Sequence, residues 1–305
     1  HLLKGVPIER TELARDVHSP IFESHVPTLL ESQLDEENKH LVGLIELSTV
    51  MNGAGPILFK INELIGQGKK LIVADAVSIT DIEQIVLAIN KSDYNILPTG
   101  SAACAQVLGN IWLPELKNQY VSKTIPELPK LIVSGSATQI TESQLKKLSD
   151  SDDFNNVYFI NLDLKTILAG VDNELVNRVT NNLGQNNIVV VNTSYLIKDF
   201  DGFSDECLSA ELTKPKLASM ITDFLAELTK VVVSKRDVIL ITLGGETSYK
   251  CCSAIDSLQL QLVDEVAPAI ALSIDHKAQW IVAKSGNLGT SNTLIDILKY
   301  FEKHE

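Results

Sequence analysis

Two adjacent glycines follow a strongly apolar stretch in the second half of the chain. Val238–Leu243 reads VILITL and is followed by Gly244, Gly245, Glu246 and Thr247, after which a helical pattern begins. Glycine permits a tight turn and leaves room for a ligand beside the backbone. The first amides of a helix have no partner within it, and the helix dipole adds positive charge, so phosphate is a common ligand there. The stretch predicts either a phosphate site, which Gly245→Val would block by bulk and by resisting positive φ, or a plain turn capped by Thr247.

A second glycine loop has the same setting. Lys284–Thr290 reads KSGNLGT, follows the apolar run Trp280–Ala283 and precedes a helical pattern. Lys284 carries a positive charge that suits a phosphate, and Gly286 permits close approach of the backbone. The alternative interpretation is an ordinary loop with a solvated lysine.

A third loop, with the sequence SGS, follows the apolar run Leu131–Val133 and ends at Ser136. Open α/β sheets bind ligands at the carboxyl ends of their strands, although serine and glycine are also common in turns. All three loops stand at the ends of predicted parallel strands in one domain. We therefore expect them to share one edge of one sheet and to form a nucleotide or phosphate site.

Weaker candidates lie in the first half of the chain. Thr99–Ser101 reads TGS and precedes the small-residue helix predicted over Ala102–Leu108, which suggests another anion cradle. Asp75 ends the run LIVAD, where a carboxylate either meets a ligand or, as we favour, caps a helix or turns the chain. Arg15 lies beside acidic residues in TELARD, and we interpret it as part of a surface ion pair.

Several well-known signatures are absent from the sequence. It contains no P-loop, no dinucleotide-binding G-x-G-x-x-G and no G-x-S-x-G elbow. None of the six histidines has metal-ligand spacing with another, so no histidine-based metal site is predicted. No catalytic residue is assigned from the sequence.

The periodicity of apolar residues predicts the strands and helices that position the candidate loops. Short β-rich runs alternate with helical patterns, which predicts α/β architecture: two α/β domains with mostly parallel sheets flanked by helices and a cleft between them. Strands are predicted at Leu41–Leu47, Leu71–Ala74, Asn95–Leu97, Leu131–Val133, Val157–Ile160, Ile188–Val191, Val238–Leu243, Leu258–Val263, Ala269–Ile274 and Trp280–Ala283. Further helices are predicted at Gly55–Gly66, Ile79–Ile89, Thr141–Leu148, Asn173–Leu183, Leu217–Val233 and Ser291–Phe301.

Domain limits follow from a change in composition. The segment Leu113–Pro129 holds three prolines and no clear period, so it is interpreted as a linker. The predicted organisation is a first domain over residues 1–115, a linker over 116–129 and a second domain over 130–305. Residues 1–40 have no strong period and read as a lead-in to the first domain.

Composition excludes some classes of function. The 305 residues include 26 Lys and Arg against 39 Asp and Glu, a formal net charge of −13, which disfavours nucleic acid as a partner. Four cysteines are too few for a disulfide scaffold and fit a reducing, cytoplasmic setting. No apolar run approaches the roughly 20 residues of a membrane span, so no membrane partner is expected.

Three segments together resemble a known family. LIVSGSATQITESQL, ITLGGETS and IVAKSGNLG, in this order, resemble the nucleotide-binding domain of the four-carbon acid sugar kinases. TELARD, LIVADAVSITDIEQI and PTGSAACAQVLG resemble the later part of that family's N-terminal, sugar-acid-binding domain. The resemblance covers nearly the whole chain, and the pairing of GGET with KSGNLG is its most specific part.

The resemblance implies an ATP-dependent kinase that phosphorylates a four-carbon sugar acid such as threonate or erythronate. It implies ATP and Mg²⁺ as cofactors and a small sugar acid as partner, and a homo-oligomer is one of the oligomeric states that the sequence leaves open. It places nucleotide contacts at Ser136, at Gly244 to Thr247 and at Gly286. A non-catalytic nucleotide- or metabolite-binding protein is the alternative, and a Rossmann-type oxidoreductase is a weaker third reading.

One feature of the family is not found in the sequence. Members begin with a strand that ends in an Asp-Asp-hydrophobic-Thr-Gly motif, and no such motif occurs here. We expect the chain to start part-way through the N-terminal domain, with its general base upstream of residue 1. We therefore expect these 305 residues to bind ATP without phosphorylating an acid.

Overall fold

The protein is described by a computed structural model. It covers residues 1–3, 5–11, 14, 20–113, 124–154, 156–185, 188–197, 200 and 212–304. The chain divides into two compact units, unit 1 from His1 to Tyr120 and unit 2 from Val121 to Glu305. The division falls within the predicted linker, of which residues 116–123 lie outside the described part, so the proposed domain limits stay a prediction.

Unit 1 is built around a two-stranded parallel sheet of β3 and β4. Its strands are β1 (Leu2–Leu3), β2 (Val6–Pro7), β3 (Val42–Ile45) and β4 (Leu71–Ala74), and its α-helices are α1 (Val26–Ser32), α2 (Leu47–Val50), α3 (Ala54–Gly66), α4 (Ile79–Asn90) and α5 (Ala102–Trp112). Short 3₁₀ helices cover Ile8–Arg10 and Glu36–Leu41.

Helix α3 shows why the core of unit 1 forms where it does. Ile57, Ile61 and Leu64 recur at helical spacing and are buried in one cluster with Ile45 of β3. The strand predicted at Asn95–Leu97 is wrong, because this segment has no strand structure. Leu97 is 88% exposed, and a run of three residues is too short for alternation to separate a strand from a loop.

Unit 2 contains a seven-stranded sheet with the strand order β6-β7-β5-β8-β11-β10-β9. Its strands are β5 (Lys130–Ser134), β6 (Val157–Asn161), β7 (Ile188–Asn192), β8 (Ile239–Leu243), β9 (Leu260–Ala267), β10 (Ile270–Asp275) and β11 (Trp280–Lys284). Its helices are α6 (Gln139–Ser149), α7 (Leu164–Ala169), α8 (Asn173–Gln185), α9 (Lys214–Lys235), α10 (Gly245–Ala254) and α11 (Thr293–His304).

The first five strands in that order run parallel to one another, β10 runs in the opposite direction, and β9 runs in the direction of the first five. β6, β7, β5, β8 and β11 pair in parallel, whereas β10 pairs in the antiparallel sense with β11 and with β9. Only Pro268 and Ala269 separate β9 from β10, and so short a connection permits only antiparallel pairing. Ala269 takes a positive φ of 61° in this turn.

The central strands are buried on both faces. All five residues of β5 and all five of β8 are buried. Their sequences are mostly apolar because helices cover both faces of a parallel sheet. On one face, Leu145 and Leu148 of α6 and Leu294 and Phe301 of α11 join a single core cluster with residues of β5, β8 and β11. Helix α9 packs against α8 and α10. Apart from Asn95–Leu97, each predicted strand and helix is observed, with ends shifted by a few residues.

Among the described residues, no helix combines the length and the apolar character that a bilayer crossing would require.

Candidate functional site

The three glycine-bearing loops begin next to one another. β5, β8 and β11 are adjacent and parallel, and Ser134 and Lys284, the last residues of β5 and β11, are both in register with Leu243 of β8. The carboxyl ends of parallel strands lie on one edge of their sheet, so the loops that follow them meet there. Topology therefore brings together Ser136, the segment from Gly244 to Thr247, and Gly286.

Backbone hydrogen bonds connect the three loops at this edge. The amides of Gly135 and Ser136 donate to the Leu243 carbonyl, at 3.3 and 3.2 Å. The amide of Gly244 donates to the Lys284 carbonyl at 2.8 Å. Each loop is thus fixed to the end of the neighbouring strand, which holds the loops in a defined arrangement.

The glycines are required because the loops approach one another closely. A Cβ on Gly286 would lie 2.2 Å from Ser136 Oγ. A Cβ on Gly244 would lie 3.3 Å from Ser136 Cβ, and Gly244 also has a φ of 120°. On the other side, a Cβ on Gly135 would lie 2.4 Å from Thr247 Oγ1. Ser136 therefore sits between the glycines of the two other loops.

Helix α10 presents free amides at this edge. It begins at Gly245 with no side-chain cap. Within the described part of the chain the amides of Gly245, Glu246 and Thr247 have no acceptor, as expected for the first turn of a helix. Gly245 and Glu246 are exposed, and a Cβ on Gly245 would meet nothing within 4 Å. The expected positive φ at Gly245 is wrong: Gly244 has it, and Gly245 is the first helical residue.

A cluster of hydroxyl groups, which sequence analysis missed, lies beneath Ser136. Thr138 caps α6 by accepting a hydrogen bond from the Thr141 amide. The Thr138 hydroxyl donates to the Gly286 carbonyl at 2.9 Å. Thr141 Oγ1 lies 3.0 Å from both the Gly286 carbonyl and Ser136 Oγ, and its one hydrogen can be donated to either. Thr-x-x-Thr after a strand is a recognisable helix start, but nothing local predicts that Gly286 is its partner.

Lys284 is buried, so the alternative interpretation of an ordinary loop with a solvated lysine is wrong. It is in register with Leu243, which belongs to the core beneath α6 and α11, and its side chain is fully buried. Its ammonium donates to the carbonyls of Ser285, at 2.8 Å, and Gly286, at 3.4 Å. No ion pair of Lys284 occurs among the residues that the structure describes. Burial lowers the pKa of Lys284 to about 8, because the protein interior disfavours the charged form.

Other buried polar groups surround the loops. Gln144 of α6 donates to the carbonyls of Leu288, at 3.1 Å, and Thr290, at 2.8 Å, so it holds the far end of the Lys284–Thr290 loop. Its Oε1 atom and the Ser134 Oγ atom are buried without a hydrogen-bond partner in the described part of the protein. The Thr193 hydroxyl donates to the Ser134 carbonyl and adds the loop after β7 to the same edge.

Two of the weaker candidates, Asp75 and Gly100, have neighbours within unit 1. Asp75 Oδ2 accepts a hydrogen bond from the Leu47 amide, the first amide of α2, at 3.3 Å. A Cβ on Gly100 would lie 2.7 Å from Cys104 Cβ, within the first turn of α5. Arg15 lies outside the described residues. In the ranges that the structure covers, no group of three or more His, Cys, Asp or Glu side chains is arranged to hold a metal ion.

The family profiles account for most of the chain. A profile described as a nucleotide-binding C-terminal domain matches residues 131–294, and one described as a sugar-binding N-terminal domain matches residues 1–108. The first contains all three loops of unit 2.

Curated relatives carry kinase names. The chain is 25% identical to a D-erythronate kinase of Heliobacterium modesticaldum over 98% of its own length and 68% of the relative's. It is 22% identical to a D-threonate kinase of Salmonella typhimurium, over 99% and 70%, and 23% identical to a 3-oxo-tetronate kinase of Pseudomonas savastanoi, over 92% and 63%. The chain thus spans about two thirds of the length of these relatives.

Solved structures share the fold. A protein of Haemophilus influenzae matches with a TM-score of 0.64 at 18% identity, over 96% of this chain and 68% of that one. A protein of Salmonella typhimurium, described as a putative tRNA synthase, matches with a TM-score of 0.69 at 16% identity, over 95% and 66%. With both profiles matched in order, the chain belongs to the four-carbon acid sugar kinase family.

Proposed function

We propose that this protein is an ATP-dependent kinase of a four-carbon sugar acid and that unit 2 binds the nucleotide. The observation that carries the proposal is the convergence of three loops around Ser136 at the carboxyl edge of a parallel sheet. The names of the curated relatives support the substrate class, which includes erythronate, threonate and 3-oxo-tetronate.

The phosphates of ATP would bind at the start of α10. The free amides of Gly245, Glu246 and Thr247 are donors for phosphate oxygens, and the open space beside Gly245 lets a phosphate approach them. The Ser136 hydroxyl and the Gly286 backbone form the adjoining wall. The buried ammonium of Lys284 adds positive charge beneath this wall, and it acts through its field because its hydrogen bonds go to backbone carbonyls.

Magnesium would arrive with the nucleotide. Mg²⁺ usually keeps several water ligands and binds through substrate phosphates and one or two carboxylates. Glu246 is the acidic residue in the first turn of α10 and is exposed at the edge, so its carboxylate is the proposed protein ligand, directly or through water.

The chain's own contribution to phosphoryl transfer would be positioning and electrostatic stabilisation. The transferred phosphoryl group carries charge on its oxygens, and fixed amide donors stabilise it without reorganisation. Unit 1 corresponds to the sugar-binding profile, so the acid would bind through that unit. No general base is assigned. The cytoplasmic location stays a prediction, and a homo-oligomer stays one of the oligomeric states that the sequence leaves open.

Nucleotide binding is tested by titrating the 305-residue chain with ATP and Mg²⁺ in a calorimeter. We expect saturable binding with one site per chain, and Ser136→Ala and Gly245→Val should weaken it. A folded chain that shows neither heat nor a thermal shift up to millimolar ATP would contradict the proposal. Asp75→Asn, in unit 1, is the matched control and should bind ATP as the unmodified chain does.

The kinase activity is tested on the protein expressed from its own reading frame. It is incubated with ATP, Mg²⁺ and D-erythronate, D-threonate or 3-oxo-tetronate, and the phosphorylated acid is sought by mass spectrometry beside ADP release. We expect one acid to be phosphorylated in proportion to ADP formed. Nucleotide binding without any phosphorylated acid would favour the alternative, a non-catalytic nucleotide-binding protein.

A further inference from the structure

The Gly286 carbonyl oxygen has three potential hydrogen-bond donors but only two lone pairs. Thr138 Oγ1, Thr141 Oγ1 and Lys284 Nζ lie 2.9, 3.0 and 3.4 Å from this oxygen. A carbonyl oxygen has two lone pairs, whereas each threonine hydroxyl has one hydrogen. The Thr141 hydrogen has two acceptors at the same distance of 3.0 Å, this carbonyl and Ser136 Oγ. When Thr138 and the charged Lys284 occupy the two lone pairs of the carbonyl, the Thr141 hydrogen goes to Ser136 Oγ.

This arrangement determines what the Ser136 hydroxyl does. If Ser136 Oγ accepts from Thr141, its own hydrogen must go elsewhere. Within the described residues the only other hydroxyl beside it is that of Thr138, at 3.2 Å. An anionic phosphate oxygen is a stronger acceptor than a neutral hydroxyl, and such hydrogen bonds are shorter. A bound phosphate would therefore take the Ser136 hydrogen.

We propose that Thr141 is a positioning residue of the nucleotide site: its buried hydroxyl holds Ser136 Oγ as an acceptor and so turns the Ser136 hydrogen toward the phosphate. The inference rests on the proposed nucleotide function. Thr141 is fully buried, so it acts on the ligand through Ser136 and not by contact. It also connects the loop after β5 to the loop after β11, since it lies within hydrogen-bonding distance of the Gly286 carbonyl.

Thr141→Val is the direct test, because valine keeps the branched shape and removes the hydroxyl. Thr229→Val is a matched control: Thr229 is also buried, at 1% exposure, and its hydroxyl has the Leu225 carbonyl of α9 and Cys251 Sγ of α10 as neighbours and makes no hydrogen bond to Ser136 or Gly286. Thr141→Ser keeps the hydroxyl and should restore binding. We expect Thr141→Val to weaken ATP binding about tenfold, since hydrogen bonds to charged groups have effects of this size, and Thr229→Val to leave it unchanged.

A double-mutant cycle separates positioning from general damage. If Thr141 acts through Ser136, adding Thr141→Val to Ser136→Ala should weaken ATP binding no further. If Thr141→Val does not fold, Thr141→Cys replaces it with a weaker donor of similar size, and Thr229→Cys becomes its control. Folding is checked by near-ultraviolet circular dichroism at the temperature of the titration.

Each result has one meaning. An unmodified chain that binds no ATP overturns the proposed function. A chain that binds ATP equally well with and without the Thr141 hydroxyl overturns this inference alone. Equal losses for the Thr141 and Thr229 variants, or a Thr141 loss that adds fully to the Ser136→Ala loss, would also overturn it.

Discussion

The two units contain similar glycine loops that have different structural roles. In unit 1, Gly100 follows a segment with no strand structure, and its nearest neighbour is Cys104, four residues along in α5. In unit 2, Gly286 follows the inner strand β11, and its nearest neighbour is Ser136, in the loop after another strand. The first glycine serves the local start of a helix, whereas the second permits two distant parts of the chain to meet.

The difference shows what a glycine after an apolar run indicates. It marks a tight turn in either case, but it marks a candidate binding site only where a parallel sheet collects several such turns at one edge. Asp75 follows β4 and accepts from the Leu47 amide, which follows the neighbouring parallel strand β3, so in unit 1 the two strand ends are joined by a carboxylate and without a glycine loop.

Gly286→Ala should have the largest effect on the unit 2 site. The added Cβ would lie 2.2 Å from Ser136 Oγ and 3.2 Å from Thr138 Cγ2, so Ser136 must move and its hydrogen bond with Thr141 must break. We expect ATP affinity to fall by about a hundredfold or more, the size of losing one or two charge-assisted hydrogen bonds. Overpacking should lower the free energy of unfolding by about 1–3 kcal/mol. Calorimetry and urea unfolding measure the two effects.

Gly100→Ala is the matched substitution in unit 1. Its Cβ would contact Cys104, so it should also lower stability, but ATP affinity should stay unchanged. If both alanine variants weaken ATP binding alike, the distinction between the two loops is wrong.

Gly245→Val tests the open space at the start of α10, where phosphate is proposed to bind. Its Cβ meets no protein atom within 4 Å, so the fold should be retained, while the side chain fills the space proposed for phosphate. We expect at least about tenfold weaker ATP binding, comparable to losing one hydrogen bond to a charged group. Gly245→Ala, with a smaller side chain, should have a smaller effect. If the valine variant binds ATP with unchanged affinity, Gly245 has only a structural role at the start of the helix.

A pH-dependent effect should distinguish buried Lys284 from the exposed lysines. Burial lowers its pKa to about 8 from an ordinary value of 10.5. Between these values the folded chain has released a proton that the unfolded chain still binds, so this lysine makes stability rise with pH, by at most about 1.4 kcal/mol per pH unit. Lys284→Met should remove that rise. Urea unfolding of both chains at pH 7.5 and 9.5 measures it, and parallel pH dependences would contradict the assigned burial.

The smallest effect is expected at Asp75 in unit 1. Asp75→Ala removes one acceptor from the Leu47 amide at an exposed site, which should lower the free energy of unfolding by about 0.5–1 kcal/mol. ATP affinity should not change, because the carboxylate has a structural role. A loss of ATP binding with the fold intact would indicate that the Asp75 carboxylate takes part in ligand binding.

Much of the framework of unit 2 could be predicted because its signals are local. Near-continuous apolar runs such as Ile188–Val191 are typical of strands buried on both faces, and Thr138 begins a recognisable helix start. The segment Asn95–Leu97 shows the limit of such signals. Its apolar side chains resemble a strand, but Leu97 is exposed and no neighbouring strand pairs with it among the described residues.

The candidate site was only partly predictable. The three loops were identified from glycine, serine and lysine at strand ends, and the family resemblance named the same positions. The hydroxyl cluster was missed because the partners of Thr138 and Thr141 lie almost half the chain away, at Gly286. The positive φ was assigned to the wrong glycine because the sequence GG does not show at which residue the helix begins.

The α/β alternation, the glycine turns and the acidic net charge follow directly from the amino-acid sequence, because each depends on residue types and short-range spacing. The assembled sheet sets the strand order β5-β8-β11, which places the three loops side by side and which no local pattern predicts. It also sets the burial of Lys284, whose register with Leu243 puts it on the face that α6 and α11 cover. Burial and pairing depend on contacts between residues far apart in the chain, and these contacts exist only when the sheet is assembled.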